Sequence, residues 1–327
     1  MVTVSILNSD DTLNASVVIC TYQRPALLAR CLRSVLLQHV PDGCRFEIVV
    51  VDNSGDGNAE PVVAGCADGA AVPLRYVGDP RPNISRARNA GVAAARGRWI
   101  AFLDDDEEAG PGWLAALLAS GETTGADIVF GPVEPVFETA PPAWDPEGAS
   151  FYHRLDLPDG AEAPVHGEFG HARRLGKVGT CNVLIRREVF DGDPEPFDPA
   201  FGRSGGEDSD FFRRQTRAGR RIVWAARARA TEWVPAERTT LEFMARRRFR
   251  DSQTHVRLLL KNSGRPWFVA VVLMARGALQ AGLWGPVRAL GASLPEPLAA
   301  RARFGWTAGT GKLFWWRGLR RGDPAYN

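Results

Sequence analysis

Short runs of β-branched and aliphatic residues alternate with amphipathic segments through the first 130 or so residues. Residues 16–20 (SVVIC), 46–51 (FEIVVV), 74–77 and 99–103 are predicted strands. Helices are predicted between them, one starting at Pro25 and one over residues 85–95 that is closed by Gly97. Strands that alternate with helices favour a mostly parallel, doubly wound α/β sheet.

The same kind of pattern continues less regularly towards the C-terminus. A helix is predicted over residues 112–120 and a strand over 127–133, whereas residues 132–170 are rich in Pro, Gly and Asp and are predicted to be loops. Order returns at residues 181–190. Glu207 begins a predicted helix that Gly219 ends, a strand follows at 221–225, and Thr239-x-x-Glu242 is a candidate capping box for a helix to about residue 260.

The region after Trp267 has a different character. Its apolar stretch is broken by Arg276 and Pro286, so we expect no uninterrupted apolar span of about 20 residues. Tryptophans interleaved with arginines favour helices that lie in a membrane interface; the alternative is helices that cover the catalytic domain or a dimer partner. The predicted organisation is an N-terminal extension (1–14), a catalytic domain (15–235) and a C-terminal helical region (236–327).

Charge and cysteine content exclude several classes of function. The 40 basic residues nearly balance 38 acidic ones, and a net charge of +2 argues against nucleic-acid binding. The five cysteines form no C-x-x-C pair and are odd in number, so neither a zinc site nor a disulfide framework is predicted. No secretory signal is recognisable, and we expect a cytoplasmic location, at the inner face of the cell membrane.

Acidic residues follow two of the predicted strands. Asp52 ends the second strand, and the run AFLDDDEE places Asp104, Asp105 and Asp106 at the end of the fourth. Ligands of such sheets bind beyond the carboxyl ends of the strands, so these side chains are expected at one rim. Adjacent carboxylates raise one another's pKa unless a cation compensates, and Mg²⁺ or Mn²⁺ prefers oxygen ligands. The alternative is a solvated acidic turn.

Five stretches in a fixed order carry a family resemblance: VVICTYQR (17–24), IVVVDNSG (48–55), ISRARNAG (84–91), FLDDDEE (102–108) and GGEDSDFFRR (205–214). With them the chain resembles family 2 glycosyltransferases of the GT-A fold, and especially bacterial exopolysaccharide glycosyltransferases. The resemblance implies a nucleotide-diphospho-sugar transferase fold with a C-terminal helical extension. It also implies transfer of a sugar from a nucleotide-sugar donor, expected to be a UDP-sugar, to a glycan or lipid-linked glycan.

The resemblance also implies roles for individual residues. Nucleotide-sugar binding falls on Thr21, Tyr22, Arg24, Asp52, Asn53, Arg86, Asn89, Asp104 and Asp105, with Arg88 also lining the donor site. The D-x-D pattern of the family falls on Asp104 and Asp106, which are the expected ligands of Mn²⁺ or Mg²⁺. Family members often carry a second acid where this chain has Asn53. From the residues alone, Asp52 could equally cap a turn and the arginines could be solvated.

Asp208, in the pair Glu207-Asp208, matches the catalytic base of the family. A single base on the face opposite the leaving group implies inversion, so that an α-linked donor gives a β-linked product. Capping of a helix by these acids is the alternative. Two other functions stay open, a sugar nucleotidyltransferase and a non-catalytic nucleotide-sugar-binding adaptor at the membrane. The sequence predicts nothing about the oligomeric state.

Two further groups of side chains are candidates for metal or phosphate binding. His153, His166 and His171 could complete a metal shell, although loop histidines are usually solvated. Arg246, Arg247, Arg248 and Arg250 could grip a diphosphate by forked hydrogen bonds. The segment RRRFRDSQTHVR lacks the Q-x-x-R-W pattern of polymer-making relatives, which argues against a processive synthase.

Overall fold

A computed structural model describes residues 13–146, 157–163, 165 and 179–317. The strands are β1 (Ala15–Thr21), β2 (Phe46–Asp52), β3 (Leu74–Gly78), β4 (Trp99–Asp104), β5 (Glu107–Ala109), β6 (Ile128–Phe130), β7 (Val133–Phe137), β8 (Asn182–Arg186), β9 (Ile222–Trp224) and β10 (Ala230–Val234). The α-helices are α1 (Pro25–Leu36), α2 (Glu60–Ala67), α3 (Ile84–Ala94), α4 (Trp113–Thr124), α5 (Glu207–Arg217), α6 (Leu241–Lys261), α7 (Pro266–Ala289) and α8 (Glu296–Leu313). The three histidines of the middle loops lie outside the described residues.

The central sheet has seven strands in the order β3-β2-β1-β4-β8-β6-β9. The pairs β1–β2, β1–β4, β2–β3 and β6–β9 are parallel. Only β8 runs against its neighbours β4 and β6. The predicted mostly parallel α/β sheet is confirmed. A second sheet has three strands in the order β5-β10-β7.

Both faces of the central sheet are covered, which explains the nearly unbroken apolar runs of β1 and β2. Val17 and Ile19 belong to one buried cluster, together with Leu28 and Leu32 of α1. Val18, between them in sequence, belongs to the cluster on the opposite face. This alternation follows the two-residue period of a strand. Each fully buried aliphatic side chain contributes roughly 1.5–3 kcal/mol, so the sheet is the main source of stability in this part of the chain.

Three local predictions differ from the structure. Helix α2 was not predicted, because its eight residues carry a weak apolar pattern. Helix α3 ends at Ala94, before Gly97; a Cβ on Gly97 would lie 2.3 Å from the backbone of Ala15, so this glycine serves close packing on β1. Helix α6 is capped by Thr240, whose hydroxyl accepts from the N–H of Phe243, and the capping box predicted at Thr239 is wrong.

The described residues fall into two compact units. The first unit draws on residues 1–134, 154–199 and 211–232, and the second on 135–153, 200–210 and 233–327. The first contains all seven strands of the central sheet, and the second contains α6, α7 and α8. The domain boundary predicted at residue 235 stays a prediction.

Helix α7 runs without interruption through Arg276 and Pro286, so the predicted break in its apolar stretch is wrong. Its 24 residues have a mean hydropathy of 1.4 over the most apolar window, and only 11% of that window is buried. By length and composition α7 is the one candidate membrane span among the described residues. Its inner side packs on α8, where a Cβ on Gly277 would lie 2.7 Å from the carbonyl oxygen of Gly309.

Candidate active site

The carboxyl ends of β1, β2 and β4 lie level with one another. Thr21 at the end of β1 is in register with Asp52 at the end of β2, and Cys20 is in register with Asp104 at the end of β4. Because parallel strands end at the same edge, these three polar ends share one rim of the sheet. The prediction that the acidic run and Asp52 lie at a common rim is confirmed.

The middle aspartate of the run is the most enclosed. Asp105 is 4% exposed, and its Oδ2 accepts a hydrogen bond of 2.8 Å from Thr21 Oγ1. The guanidinium of Arg24 lies 3.2 Å from Asp105 Oδ1 and 3.3 Å from Asp106 Oδ2. Arg24 precedes α1 and follows Gln23, whose φ of 54° is left-handed and sharpens the turn. The turn after β1 therefore delivers both a hydroxyl and a cation to the acidic run.

Arginines also accompany the outer members of the run. Arg88 of α3 is buried, and its NH2 lies 3.7 Å from Oδ1 of Asp104, whose side chain is 40% exposed. Arg30 of α1 forms an ion pair with Glu108. The expectation was that the charge of the run requires a divalent cation, whereas the structure already compensates much of it with guanidinium groups. Guanidinium groups therefore compensate part of the charge of the acidic run.

Burial changes the acidity of two carboxyl groups in this run. The pKa of Asp105 is raised to about 6, mainly because the carboxyl group is buried. The charge of Arg24 lowers this pKa, and the charge of Asp106 raises it. Desolvation also raises the pKa of Glu107 well above its usual value, with smaller contributions from Asp104 and Glu232. Glu107 Oε2 accepts the backbone N–H of Asp104 at 3.1 Å. A carboxyl group thus holds the backbone of the acidic turn.

No group of three or more His, Cys, Asp or Glu side chains suited to a metal ion occurs in the described part of the chain. The expected ligands Asp104 and Asp106 each face an arginine, as given above. Two carboxylates with oxygens of a bound diphosphate would form a hard-ligand set of the kind that Mg²⁺ and Mn²⁺ use. These residues fit that smaller set, and their assignment as metal ligands stays a prediction.

Asp52 and Asn53 are both engaged in turns. Asp52 Oδ1 accepts from the N–H of Ser54 at 2.9 Å, and its Oδ2 accepts from Ala59 N–H at 3.3 Å and Tyr76 OH at 3.1 Å. Burial and then the charge of Asp52 raise the pKa of Tyr76 to about 12. The turn-capping role considered for Asp52 is thus present, and its contact with a nucleobase stays a prediction.

Asn53 fixes the loop that precedes α3. Its Nδ2 donates to the carbonyl oxygens of Asp79 (2.9 Å) and Arg81 (3.0 Å), and its Oδ1 accepts from the N–H of Asn83 at 2.6 Å. An aspartate could supply the acceptor but neither donor. The departure from the second acid of the family therefore has a local structural reason.

The α3 residues predicted at the donor site have different surroundings. Asn89 is buried, donates to the carbonyl oxygen of Phe197 and accepts the N–H of Phe197, both at 2.9 Å. Arg86 and Tyr22 are half-buried. Of the α3 side chains, it is Arg88 that reaches the acidic run, as described above. The roles predicted for Arg86, Asn89 and Tyr22 in donor binding stay predictions.

The other predicted acids start α5, in the second unit. Glu207 is 5% exposed, Asp208 is half-buried, and Asp210 is fully buried. The ammonium group of Lys261, on α6, lies 2.8 Å from Asp210 Oδ2. Helix N-termini favour negative charge, so these acids also stabilise α5. The roles of Glu207 and Asp208 in the reaction stay predictions.

Sequence reasoning missed two residues that shape these turns, Glu107 and Lys261. Glu107 is one more acid in the run, and nothing in its local pattern separates it from Glu108. Lys261 could have been noticed, because only Lys177, Lys261 and Lys312 are lysines in a chain whose other basic residues are arginine.

A mostly parallel sheet with an acidic turn at the carboxyl end of β4 defines an α/β transferase of the GT-A fold. Residues 16–189 match the family described as Glycosyl transferase family 2. The chain belongs to glycosyltransferase family 2, and it is a glycosyltransferase that uses a nucleotide-sugar donor.

The chain is similar to three individual proteins. The succinoglycan biosynthesis protein ExoM of Rhizobium meliloti is 37% identical over 254 residues, which are 78% of this chain and 78% of the relative. The glucosyl-dolichyl phosphate glucuronosyltransferase of Haloferax volcanii is 26% identical over 246 residues, 72% of this chain and 74% of the relative. The crystal structure of S. aureus TarS 1-349 in complex with UDP is 17% identical, with a TM-score of 0.49, and covers 92% of this chain and 90% of that chain.

Proposed function

We propose that the protein is a metal-dependent, inverting glycosyltransferase that moves a sugar from a UDP-sugar to a glycan or lipid-linked glycan at a membrane surface. The observation that carries the proposal is the acidic run of β4, which lies level with the ends of β1 and β2 and is met there by Thr21 and Arg24. A ligand-binding rim with this charge suits a phosphate-bearing donor that arrives with a divalent cation.

In this proposal Asp106 and Asp104 hold Mn²⁺ or Mg²⁺ together with the diphosphate of the donor. When bound, the ion supplies positive charge that stabilises the departing diphosphate. Asp105 stays on Thr21 and keeps the turn in shape. Arg24 and Arg88 lie beside the same carboxylates, so both can donate to phosphate oxygens once a donor is bound.

The nucleotide is assigned to the ends of β1 and β2. Thr21 and Tyr22 embrace the base, and Asp52 with Asn53 supports the turn against which it lies. Arg86 and Asn89 complete the donor site, Asn89 by holding the chain at Phe197 through paired backbone hydrogen bonds. Support for this assignment comes from the matching family motifs and from the shared rim.

Asp208 is assigned as the base that takes the proton of the acceptor hydroxyl. Its carboxylate is half-buried, whereas its neighbour Glu207 is almost fully buried. A half-buried carboxylate keeps access to an acceptor, so Asp208 suits proton transfer and Glu207 a supporting role. A single base opposite the leaving group inverts the anomeric carbon.

Membrane contact is assigned to α7. Its exposed side carries large apolar residues over its whole length: Trp267, Phe268, Val271, Val272, Leu279 and Leu283. Trp267 is 71% exposed and Leu283 is 64% exposed. An apolar helix face of this length with an aromatic residue at its end suits the interface of a bilayer, and Arg265 and Arg288 at its ends suit anionic headgroups. A lipid-linked acceptor would be met at that surface.

The function is tested with a donor panel. The purified protein is incubated with Mn²⁺ and UDP-, dTDP- or GDP-sugars, and nucleotide release is measured with and without EDTA. Release that depends on the cation and on one donor class supports the proposal. Binding without turnover would favour the adaptor, and formation of a nucleotide-sugar from a sugar phosphate and a nucleoside triphosphate would favour the nucleotidyltransferase. An NMR measurement of the anomeric configuration of the product tests inversion.

The membrane assignment is tested by flotation with vesicles of zwitterionic or mixed anionic lipid. We expect Leu279→Asp with Leu283→Asp to reduce recovery with vesicles. Leu37→Asp is the matched control, because Leu37 is 72% exposed but lies after α1 in the first unit. Equal recovery of both variants would overturn the assignment of α7.

A further inference from the structure

The loop before α5 is bound tightly to α6. Thr254 Oγ1 lies 3.1 Å from the carbonyl oxygen of Ser204 and 3.3 Å from that of Gly205, and donates to this pair. Gly206 has a φ of 101°, and a Cβ there would lie 2.2 Å from Thr254 Cγ2. Only glycine satisfies both the backbone angle and the close approach. The chain is thus pressed onto α6 directly before Glu207.

A buried ion pair holds the first turn of α5 from the same helix. Asp210 is fully buried, and Lys261 Nζ lies 2.8 Å from its Oδ2. The ammonium group also lies 5.3 Å from the centroid of the Phe201 ring, so the loop contacts Lys261 from two sides. The N–H of Asp210 donates to the carbonyl oxygen of Gly206, which closes the first helical turn around Asp208.

We propose that Thr254 and Lys261 are positioning residues for the Asp208 carboxylate. Thr254 fixes the chain two and three residues before Glu207, and Lys261 fixes Asp210, two residues after Asp208. Asp208 lies between these two anchors, so its backbone position is set from α6. This inference rests on the proposed role of Asp208 as the base.

Thr254 and Lys261 lie on α6, whereas Asp208 lies on α5. Neither Thr254 nor Lys261 belongs to the five family stretches, and neither needs to touch substrate. A buried carboxylate such as Asp210 is stable as an ion only when a cation is held close to it. Loss of Lys261 would therefore let the turn relax, and a displacement of about 1 Å at a reacting group can slow a reaction about 100-fold.

The test compares Lys261→Met with Asp208→Asn, using the UDP-sugar that turns over in the donor panel. Single-turnover release of UDP gives the rate, and calorimetry with UDP and Mn²⁺ gives the affinity. We expect Lys261→Met to lower the rate about 10- to 100-fold with UDP affinity changed by less than about 2-fold. Lys312→Met is the matched control, because Lys312 bonds Gln280 on α7, away from this loop.

The double variant Asp210→Asn with Lys261→Met separates positioning from simple stabilisation. It removes the stranded charge, so its melting temperature should return towards that of the parent while its rate stays low. A rate that returns together with the melting temperature would overturn positioning. Thr254→Val should slow release, and Thr254→Ser, which keeps the hydroxyl, should restore it.

Two outcomes distinguish the assignment of Asp208 as the base from its positioning by Lys261. An active Asp208→Asn variant overturns the assignment of the base, whatever Lys261→Met does. An inactive Asp208→Asn variant together with a fully active Lys261→Met variant overturns only the positioning role.

Discussion

The chain carries two acidic turns that solve the same electrostatic problem differently. At the end of β4, three consecutive aspartates lie against the guanidinium groups of Arg24 and Arg88. At the start of α5, the acids lie at a helix N-terminus, and the fully buried Asp210 pairs with Lys261. Strand ends supply no dipole comparable to that of a helix, so the first turn depends on Arg24, which precedes α1, and on Arg88 of α3.

The difference separates two uses of negative charge. At the first turn, the Asp104 side chain is 40% exposed and its Oδ1 lies 3.7 Å from the guanidinium of Arg88, so an arriving phosphate can compete for that arginine. A lysine on a fully buried aspartate holds it in place. In the first turn an arriving ligand can therefore replace a carboxylate as the partner of an arginine. The second turn is suited to hold its carboxylates in one geometry.

Removal of Asp106 should have the largest effect. Under the proposed function, Asp106→Ala abolishes metal-dependent release of nucleotide, with a rate lower by about 10³-fold or more, because the charge that develops on the leaving diphosphate loses its counter-ion. Steady-state release with saturating Mn²⁺ measures it. Asp68→Ala, at an exposed position after α2, is the control and should retain the parental rate. An active Asp106→Ala variant would remove this residue from the metal site.

Arg24→Met should lower the stability of the first turn. It leaves two nearly buried carboxylates without the guanidinium that lies between them, and we expect the free energy of unfolding to fall by about 2–3 kcal/mol. Urea unfolding measures the change. Arg33→Met, at an exposed position of α1, is the control and should change the free energy of unfolding by less than about 0.5 kcal/mol. Equal effects of both substitutions would mean that Arg24 does not compensate the run.

How far the sequence predicts the molecule differs between these two turns. The apolar runs predict β1, β2 and β4, because strands buried on both faces need uninterrupted apolar residues. The shared rim follows from that prediction, because the carboxyl ends of parallel strands lie at one edge of the sheet. Helix α7 was missed as a single helix because Arg276 at an exposed position and Pro286 in the last turns do not break it.

The partners of the acids were not predictable in the same way. Arg24 and Asp105 are 81 residues apart in sequence, and Lys261 and Asp210 are 51 apart. No local pattern links such positions, because the contact depends on how the elements pack. Asn53 shows the same limit: its three hydrogen bonds reach a loop almost 30 residues away, whereas its sequence position suggested only a ligand contact.

The first turn should also have a distinctive dependence on pH. The ordinary pKa of an aspartate is 3.8, and that of Asp105 is raised to about 6, so the folded state binds more protons than the unfolded state between these values. The free energy of unfolding contributed by this group therefore falls as pH rises from about 4 to about 6, by up to about 3 kcal/mol.

Asp105→Asn removes this titration. In the presence of EDTA, its stability relative to the parent should improve between pH 4 and pH 7, as measured by urea unfolding at several pH values. A difference between Asp105→Asn and the parent that is independent of pH would contradict the raised pKa.

Glu107→Gln should have the smallest effect of the series. Burial raises the pKa of the Glu107 carboxyl group and so favours its neutral form, and a neutral amide of the same shape can still accept the N–H of Asp104. We expect the free energy of unfolding to change by less than about 1 kcal/mol and nucleotide release by less than about 3-fold.

Glu107→Ala removes the acceptor and leaves the N–H of Asp104 unpaired, which should cost about 1–3 kcal/mol. The pair of variants thus separates the shape of Glu107 from its charge. If the glutamine variant is as damaged as the alanine variant, Glu107 acts as an anion. Arginines would then have to balance that charge as well, and the first turn would resemble the second in depending on a buried carboxylate held by a fixed cation.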